Sequence, residues 1–181
     1  MAETGDRFIH KYNSLLGEMV LASDGQALTG VWFAGQKYFP ENIALSSQEK
    51  LVPVLAETVR WLDLYFAGDI TDFMPALAPA GSAFRQQVWQ LLLEIPYGER
   101  TSYGELAKIL SEKNGGNMSA QAVGGAVGHN PISILIPCHR VVGTNGSLTG
   151  YAGGIDKKIR LLELEGVDMS KFFVPKKGTA L

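Results

Sequence analysis

Residues 68–81, GDITDFMPALAPAG, divide the sequence into two parts with different patterns. The stretch contains two prolines and two glycines and shows neither helical nor strand periodicity. These features are typical of a linker. We therefore predict an N-terminal domain over residues 1–67, a linker over 68–81 and a C-terminal domain over 82–181. A chain of 181 residues is long enough for two small domains.

The N-terminal part has the pattern of a small α/β domain. Two apolar runs flank Asp24-Gly25, which is a strong hairpin signal, and residues 7–16 could add a third strand. A helix is predicted next, with Pro53 near its start and Gly68 after its end. Its apolar residues recur at helical spacing: Leu51, Leu55, Val59, Leu62 and Phe66.

The C-terminal part begins with three predicted helices. Ser82 is a candidate N-cap for the first, whose apolar stripe is Phe84, Val88, Leu91, Leu92 and Ile95. Ser102 and Glu105 form a capping box for the second, with Leu106, Ile109 and Leu110 as its buried stripe. The turn EKNGGN separates it from a third helix that starts at Ser119. Two short helices joined by such a turn suggest a helix-turn-helix.

The helix after Ser119 carries almost no side-chain bulk. Its small residues are Ala120, Ala122, Gly124, Gly125, Ala126 and Gly128. Glycine inside a helix costs up to ~1 kcal/mol relative to alanine, so something should offset this cost. Either a nucleic acid or another backbone approaches this helix closely, or it packs tightly against a neighbouring helix. The pattern leaves both readings open.

The single cysteine, Cys138, lies in Pro137-Cys138-His139-Arg140 between two apolar runs that predict extended strands. A buried cysteine is often an inert core residue. Here a base and a permanent positive charge follow it, and positive charge favours the reactive thiolate. Adjacent side chains in a strand point to opposite faces, so His139 would reach Cys138 only through a water or a kink.

Composition limits the other classes of site. One cysteine excludes an intrachain disulfide and a cysteine-cluster zinc site, and three histidines make a histidine-rich site unlikely, so we expect no metal. The N-terminus lacks the pattern of a signal peptide, and no apolar run approaches the ~20 residues of a membrane span. We therefore expect a cytoplasmic protein with no membrane association.

Charge is unevenly distributed along the chain. Residues 1–81 hold 5 Lys/Arg and 10 Asp/Glu, whereas residues 82–181 hold 11 Lys/Arg and 8 Asp/Glu, for net charges of -5 and +3. The overall charge of -2 therefore does not argue against nucleic acid as a partner. The modestly positive C-terminal part predicts weak, salt-sensitive and largely sequence-independent binding.

Four segments together resemble the O6-alkylguanine-DNA alkyltransferase family: IPCHRVVG, AVGGAVGHNP, GYAGG and LLELEG. The resemblance covers residues 82–168, and SLLGEM and GVWFAG fit the family's more variable N-terminal domain. It implies an α/β two-domain fold. A ribonuclease H-like three-stranded sheet with a helix would be followed by a mainly helical winged-helix domain with a helix-turn-helix.

The resemblance also implies a function, which is DNA repair by direct damage reversal. The protein would act as a monomer, without a cofactor, on the minor groove of double-stranded DNA that contains alkylated guanine. It would flip O6-alkylguanine out of the duplex, with O4-alkylthymine as a second candidate lesion. The alkyl group would then pass irreversibly to Cys138 in a single-turnover suicide reaction.

Residue roles follow from the same resemblance. Cys138 would be the nucleophile and His139 its base through a water, oriented by Glu165, while Tyr103 would donate to the departing guanine. Asn130 would link the recognition helix to the active-site turn. The residues expected to line the guanine pocket are Val141, Tyr151, Ala152 and Gly153. Those expected to bind DNA are Ser119, Ala120, Gln121, Ala122, Gly124, Gly125 and Arg140.

The sequence departs from the family pattern at two places, and both concern DNA binding and not the transfer chemistry. Gln121 stands where most members have an arginine that fills the space of the flipped base. Glutamine lacks the charge but can still fill that space and hydrogen-bond the orphaned cytosine. The turn EKNGGN is also longer than in many members.

Two alternatives belong to other functional classes. A protein that only recognises alkylated DNA and recruits other factors would replace the cysteine, often with tryptophan, whereas Cys138 is intact. A thiol hydrolase would turn over repeatedly. Its papain-like form is disfavoured because its histidine comes from a distant segment, whereas His139 is adjacent to Cys138.

Overall fold

The computed structural model describes residues 7–176, which fold into two compact units. The first unit extends through Ala80 and also includes Pro131–Ser133. The second unit comprises Gly81–Asn130 and the chain from Ile134 onward. The boundary after residue 80 lies where proline and glycine interrupt the sequence pattern.

The first unit is an α/β unit. Its elements are β1 (Phe8–Ser14), β2 (Gly17–Ser23), β3 (Leu28–Phe33), β4 (Gln48–Glu49) and α1 (Pro53–Phe66). The strand order is β3-β2-β1-β4, with β1 antiparallel to β2, β2 antiparallel to β3, and the short β4 parallel to β1. The three predicted strands are confirmed, and β4 is an additional strand that the sequence pattern did not reveal.

The predicted hairpin is confirmed between β2 and β3. Asp24 Oδ1 accepts hydrogen bonds from the backbone N–H groups of Gln26 and Ala27, both at 2.8 Å. Gly25 has a φ of +99°, a conformation that side chains disfavour. The turn chemistry of an Asp-Gly pair therefore sets the register of the two strands.

Helix α1 buries one apolar face against the sheet. Leu55 and Leu62 are fully buried, as the spacing predicts, and Pro53 occupies the first turn. Leu51 was also expected on this face, but it precedes the helix and is 50% exposed. The helix therefore begins after this leucine, where proline is tolerated.

Two separate segments cover the outer edge of β3. Leu28 N–H donates to Ala76 C=O at 2.7 Å, and Ala78 N–H donates to Leu28 C=O at 2.8 Å. Further along β3, Val31 exchanges backbone hydrogen bonds with Pro131 and Ser133. An open strand edge would otherwise present unpaired backbone groups. Residues 68–80 are thus part of the first unit and not only a linker, and residues 131–133 return to it.

The second unit is mainly helical. Its helices are α2 (Ala83–Leu93), α3 (Tyr103–Asn114), α4 (Ala120–Gly128) and α5 (Ile155–Leu164). Its two short strands, β5 (Thr101–Ser102) and β6 (Val141–Val142), pair in parallel. Two 3₁₀ turns are formed by Cys138–Arg140 and Met169–Lys171.

The predicted helix starts are confirmed. Ser82 and Ser119 accept hydrogen bonds from backbone N–H groups in the first turns of α2 and α4. Ser102 and Glu105 form the reciprocal capping box of α3. One predicted buried position is wrong, because Ile109 is 43% exposed, whereas Leu106, Ala107 and Leu110 form the buried face of α3.

Helix α4 packs against both α3 and α2. Trp89 of α2 is buried, and its indole N–H donates to Ala126 C=O in α4 at 2.9 Å. This bond joins α4 to the core of the unit through its inner face. The outer residues at its N-terminal end, Ala120, Gln121 and Ala122, remain exposed.

Candidate active site

Cys138 lies in a turn and not in the extended strand that the flanking apolar runs predicted. Residues 138–140 form a 3₁₀ turn, in which Arg140 N–H donates to Pro137 C=O at 3.0 Å. Upstream, Ile134 has a φ of +72°, an uncommon conformation for a β-branched residue. The chain is therefore bent on the N-terminal side of the cysteine, and the three side chains of the turn do not alternate across a sheet.

The turn brings His139 against Glu165, which caps the C-terminal end of α5. The imidazole Nε2 and Glu165 Oε1 are 2.7 Å apart, and both side chains are fully buried. A carboxylate in this position makes Nε2 the protonated nitrogen of a neutral imidazole, so the lone pair stays on Nδ1. The pair that the sequence suggested is thus in direct contact.

Arg140 has a different position from the one expected. Its guanidinium forms a bidentate pair with Glu165, with Nε to Oε2 at 2.9 Å and Nη2 to Oε1 at 2.9 Å. Nη1 donates to Ile95 C=O at 2.7 Å. Only 8% of Arg140 is exposed, which disfavours the predicted contact of this side chain with DNA. It holds Glu165 in place.

The electrostatics of this group favour a neutral histidine and an ionised carboxylate. Burial alone would raise the pKa of Glu165, but the hydrogen bonds from His139 and Arg140 outweigh it and hold the pKa at about 2. Burial lowers the pKa of His139 below its ordinary 6.5, although Glu165 opposes this shift. We conclude that His139 is neutral at pH 7 and can accept a proton.

The thiol of Cys138 is buried, with 5% of the residue exposed. Burial raises its pKa, because a thiolate in a dry site is poorly solvated. A hydrogen bond from the Asn130 side chain, the positive charge of Lys158 and backbone N–H groups act in the opposite direction. Asn130 also donates from Nδ2 to Ile136 C=O at 2.8 Å. It therefore connects the end of α4 to the turn that carries the cysteine.

Lys158 is the functional candidate that sequence reasoning missed. Its side chain is fully buried, and its ammonium donates to the carbonyls of Val141 and Thr149. Burial lowers its pKa to about 8, and the Cys138 thiolate opposes this shift. The charge of Lys158 therefore favours the thiolate, whereas the guanidinium of Arg140 is engaged with Glu165. Its spacing from Leu161, Leu162 and Glu165 on one face of α5 was the available signal.

Tyr103 is at the first position of α3 and lies near the thiol. Its hydroxyl donates to Thr149 C=O at 2.9 Å, the same carbonyl that accepts from Lys158 at 2.7 Å. Burial and the nearby Cys138 thiolate raise its pKa. Tyr103 is therefore a protonated hydroxyl that can donate a hydrogen bond.

The expected pocket residues lie at different depths. Val141 and Tyr151 are buried, and the Tyr151 ring packs edge-on against His139 with centroids 6.4 Å apart. Ala152 and Gly153 are half-exposed. Tyr151 thus packs beside the imidazole, while the two small residues are partly accessible to solvent.

The small-residue helix α4 is exposed at its N-terminal end. Ser119, Ala120, Gln121 and Ala122 are exposed at its N-terminal end. Gly125 is half-buried, and a Cβ added there would meet no atom of the protein within 4 Å. Tight packing inside the protein therefore does not explain why position 125 is a glycine. The alternative, that an external molecule approaches α4 closely, is favoured. Gly124 is buried.

Two further classes of site are absent from the described residues. Within residues 7–176, no three His, Cys, Asp or Glu side chains cluster as metal ligands would. Along the same part of the chain, no helix has the length and apolar character needed to cross a lipid bilayer.

Family models match both units. The DNA-binding domain of 6-O-methylguanine DNA methyltransferase matches residues 83–167, and the ribonuclease-like domain of the same enzyme matches residues 8–79. The chain belongs to this family. The methylated-DNA–protein-cysteine methyltransferase of Mycobacterium leprae is 45% identical over 153 residues, which cover 84% of this chain and 88% of the relative. That of Haemophilus influenzae is 42% identical over 157 residues, with 86% and 84% covered.

Solved structures of family members are also similar to this chain. The crystal structure of Mycobacterium tuberculosis O6-methylguanine methyltransferase has a TM-score of 0.76 at 42% identity, covering 88% of this chain and 92% of that one. The Mycobacterium tuberculosis OGT in complex with DNA has a TM-score of 0.75 at 40% identity, with 91% and 94% covered. The family suggested by the sequence motifs is thereby confirmed.

Proposed function

We propose that this methyltransferase repairs alkylated DNA by moving the alkyl group from O6 of guanine to its own Cys138. The observation that carries the proposal is the buried group around the thiol: the His139–Glu165 pair at 2.7 Å and the Lys158 charge. A cysteine with a base, and a third group that orients the base, is the arrangement of an activated nucleophile. The substrate in this proposal, alkylated guanine in DNA, is inferred from membership of the family.

In the transfer step, the Cys138 thiol loses its proton to His139 Nδ1 through a bridging water. The thiolate sulfur then attacks the alkyl carbon, the S–C bond forms and the C–O6 bond breaks. The electron pair of that bond stays on the guanine, and Tyr103 donates a hydrogen bond to the leaving base. Glu165 stabilises the protonated imidazole, and the proton then passes to the departing guanine.

The product is a thioether on Cys138. A thioether is not hydrolysed by an adjacent histidine and water under neutral conditions, in contrast with an acyl-enzyme thioester. Each molecule therefore acts once, and the reaction stops when every Cys138 carries an alkyl group. O4-alkylthymine offers the same alkyl–oxygen bond and is a second candidate substrate.

The depth of the thiol requires the damaged base to leave the duplex. Cys138 is buried, so a stacked base cannot bring its O6 atom to the sulfur, and the nucleotide must be extruded. Tyr151 and Val141 would bound the base inside the site, with Ala152 and Gly153 at its opening. The exposed end of α4 would enter the minor groove, which at ~6 Å is too narrow for a bulky helix face.

Gln121 is exposed at the second position of α4, where it can fill the space left by the extruded base. Ser119 and Ala120 are exposed at the start of α4, where the N-terminal amides can bind a phosphate, helped by the helix dipole. We further propose that the second unit is a winged-helix domain and that the protein acts as a monomer. A cytoplasmic location suits a reactive thiol that must stay reduced.

The test is an intact-mass measurement after mixing the protein with duplex DNA that contains O6-methylguanine. We expect one added methyl group per chain on Cys138, no further gain with excess DNA, and no gain with undamaged duplex. Cys138→Ala should bind the lesion without a mass change. A reduced wild-type protein that gains no mass, or one that removes methyl groups from many lesions per chain, would contradict the proposal.

A further inference from the structure

The turn that follows α2 packs against the C-terminal end of α5. Glu99 N–H donates to Pro96 C=O at 3.1 Å and closes the turn. Gly98, at its third position, has a φ of +78°, a conformation that favours glycine. The sequence Pro-Tyr-Gly thus folds as a tight turn beside the carboxylate of Glu165.

The backbone N–H of Gly98 is one of the donors that hold this carboxylate. It donates to Glu165 Oε2 at 3.3 Å, and Nε of Arg140 donates to the same oxygen at 2.9 Å. Oε1 is the oxygen that lies 2.7 Å from Nε2 of His139. A carboxylate can accept about four hydrogen bonds through its two oxygens. Donors on Oε2 therefore resist a rotation of the carboxylate that would move Oε1 away from the imidazole.

Tyr97 holds the backbone next to Glu165. Its hydroxyl donates to Leu164 C=O at 3.3 Å. The last carbonyls of a helix lack partners within the helix, and Leu164 is the last residue of α5. The turn thus contacts two successive residues at the end of α5, one through its backbone and the other through its side chain.

The same part of the chain contacts Arg140. The carbonyl of Ile95 accepts from Nη1 at 2.7 Å, and the guanidinium carbon lies over the Tyr97 ring, 5.8 Å from its centroid. A cation within about 6 Å of the centroid of an aromatic ring is attracted to its face. Arg140 and Glu165 are both buried. A buried ion pair needs such additional contacts to offset the loss of water.

The space at Gly98 is as restricted as its conformation. A Cβ at this position would lie 3.1 Å from the backbone oxygen of Glu165, so a side chain would force the two segments apart by a few tenths of an ångström. Gly68 differs, because it has a similar φ of +85° but a Cβ there would meet no atom within 4 Å. The absence of a side chain at Gly98 therefore serves the contact with Glu165 as well as the turn.

We propose that Tyr97 and Gly98 are positioning residues of alkyl transfer, which fix Glu165 and, through it, the imidazole of His139. The inference rests on the proposed function, in which His139 takes the proton of the Cys138 thiol. Tyr97 and Gly98 act through the carboxylate and take no part in the making or breaking of bonds. Their loss should therefore change the rate of transfer and leave the affinity for the lesion unchanged.

The first experiment compares Gly98→Ala with Gly68→Ala in the full chain. Both variants place alanine at a left-handed φ, and only at position 98 does the new Cβ meet Glu165. We expect single-turnover methyl transfer at saturating lesion DNA to slow about tenfold in Gly98→Ala, a smaller loss than the ~100-fold of a 1 Å displacement. Gly68→Ala should transfer at the wild-type rate, and both variants should bind the lesion as the wild type does.

The second experiment uses Tyr97→Phe, which removes one hydroxyl and adds no backbone strain. It should slow transfer by a smaller factor than Gly98→Ala. Its control is Tyr12→Phe, because Tyr12 is also half-buried and its hydroxyl donates to Asp63 Oδ1 at 2.7 Å in the first unit. If Gly98→Ala does not fold, the comparison of these two tyrosine variants decides.

The imidazole of His139 reports its own position. An imidazole N–H that donates to a buried carboxylate gives a proton resonance far downfield of the backbone amides, and its absence from His139→Gln assigns it. Gly98→Ala and Tyr97→Phe should shift this resonance, whereas both controls should leave it in place. A loss of stability elsewhere in the chain would not move it.

Slower transfer together with a shifted His139 resonance supports the proposal. A folded Gly98→Ala or Tyr97→Phe that matches its control in rate, or that is slower with an unmoved resonance, overturns it. Failure of the proposed function is a separate result, because the wild type would then transfer no methyl group. The resonance needs no DNA, so it tests the placement of His139 in that case as well.

Discussion

The two units bury different kinds of polar group. In the first unit, buried polar side chains such as Ser23 and Thr58 are hydroxyls that bond to the backbone nearby. The second unit buries four ionisable side chains around one thiol: His139, Arg140, Lys158 and Glu165. Burial of charge is costly unless each charge is paired. The comparison shows that this cost is concentrated where the chemistry takes place.

The two regions should therefore respond differently to substitution. A change in the apolar core of the first unit removes packing and should act on stability alone. A change in the charged group of the second unit alters proton positions and should act on the reactivity of Cys138. The four predictions below test this separation, from the largest expected effect to the smallest.

Glu165→Gln should slow methyl transfer by about 100-fold or more, a typical effect of disabling general acid–base catalysis. The amide cannot stabilise a protonated His139, and it leaves Arg140 without its carboxylate. DNA affinity should stay near that of the wild type. Rapid-quench transfer and equilibrium binding measure the two effects, with the exposed Glu163→Gln on the same helix as control. An equal loss of affinity and rate would instead assign Glu165 a structural role only.

Leu55→Ala should destabilise the protein by about 2–5 kcal/mol, because it leaves a cavity under the first-unit sheet. Leu55 is fully buried in α1. The rate of thiol alkylation of the folded variant should equal that of the wild type. Urea unfolding gives the stability, and an alkylating reagent gives the reactivity. A changed thiol reactivity in the folded variant would show that the two regions are coupled.

Acid should weaken the fold through Glu165. Its pKa is held at about 2, below the ordinary 4.5, so the unfolded state binds the proton more readily. The stabilisation is fully present above pH 4.5 and is lost as the pH falls towards 2, with a size on the order of 3 kcal/mol. The lowered pKa of His139 acts in the same direction below pH 6.5.

Urea unfolding of the wild type and of Glu165→Gln at pH 7 and pH 3 measures this contribution. The variant should lose less stability than the wild type between the two pH values, because it lacks the carboxyl that titrates. Parallel losses in the two proteins would place the acid-sensitive groups elsewhere.

Lys158→Met should raise the pKa of the Cys138 thiol and slow transfer at neutral pH by about tenfold, because the thiolate loses a nearby positive charge that favours it. The nearby half-buried Lys157→Met is the control. The pH dependence of thiol alkylation measures the pKa directly. An unchanged alkylation profile in Lys158→Met would mean that the ammonium only supports the carbonyls of Val141 and Thr149.

Local signals in the sequence predicted much of the fold. The Asp24-Gly25 hairpin, the three serine N-caps and the capping box at Ser102 and Glu105 are short-range features whose chemistry is complete within a few residues. The short β4 escaped prediction because two residues carry no periodicity. The edge pairing of residues 76–78 and 131–133 with β3 also escaped, since it depends on segments far apart in the chain.

The motifs predicted the contact between His139 and Glu165, but they did not predict the contacts of Arg140 and Lys158. The motifs named Cys138, His139 and Glu165 as site residues. The prediction of an extended backbone at the cysteine was wrong, because residues 138–140 form a 3₁₀ turn. A bend at Ile134 and Pro137 precedes the 3₁₀ turn, and no apolar pattern reveals such a bend. Arg140 was predicted to contact DNA because the sequence shows its positive charge but does not show that its side chain is buried.

By itself the sequence determined the local turns, the helix caps, the family and the candidate nucleophile, because these depend on residue type and short spacing. Only the tertiary structure decided which charges meet. The fold brings His139 and Arg140 into contact with Glu165, which lies 26 and 25 positions further along the chain, and it places the charge of Lys158 where it favours the thiolate. The pKa values of the site arise from that burial and those distances, which no linear spacing encodes.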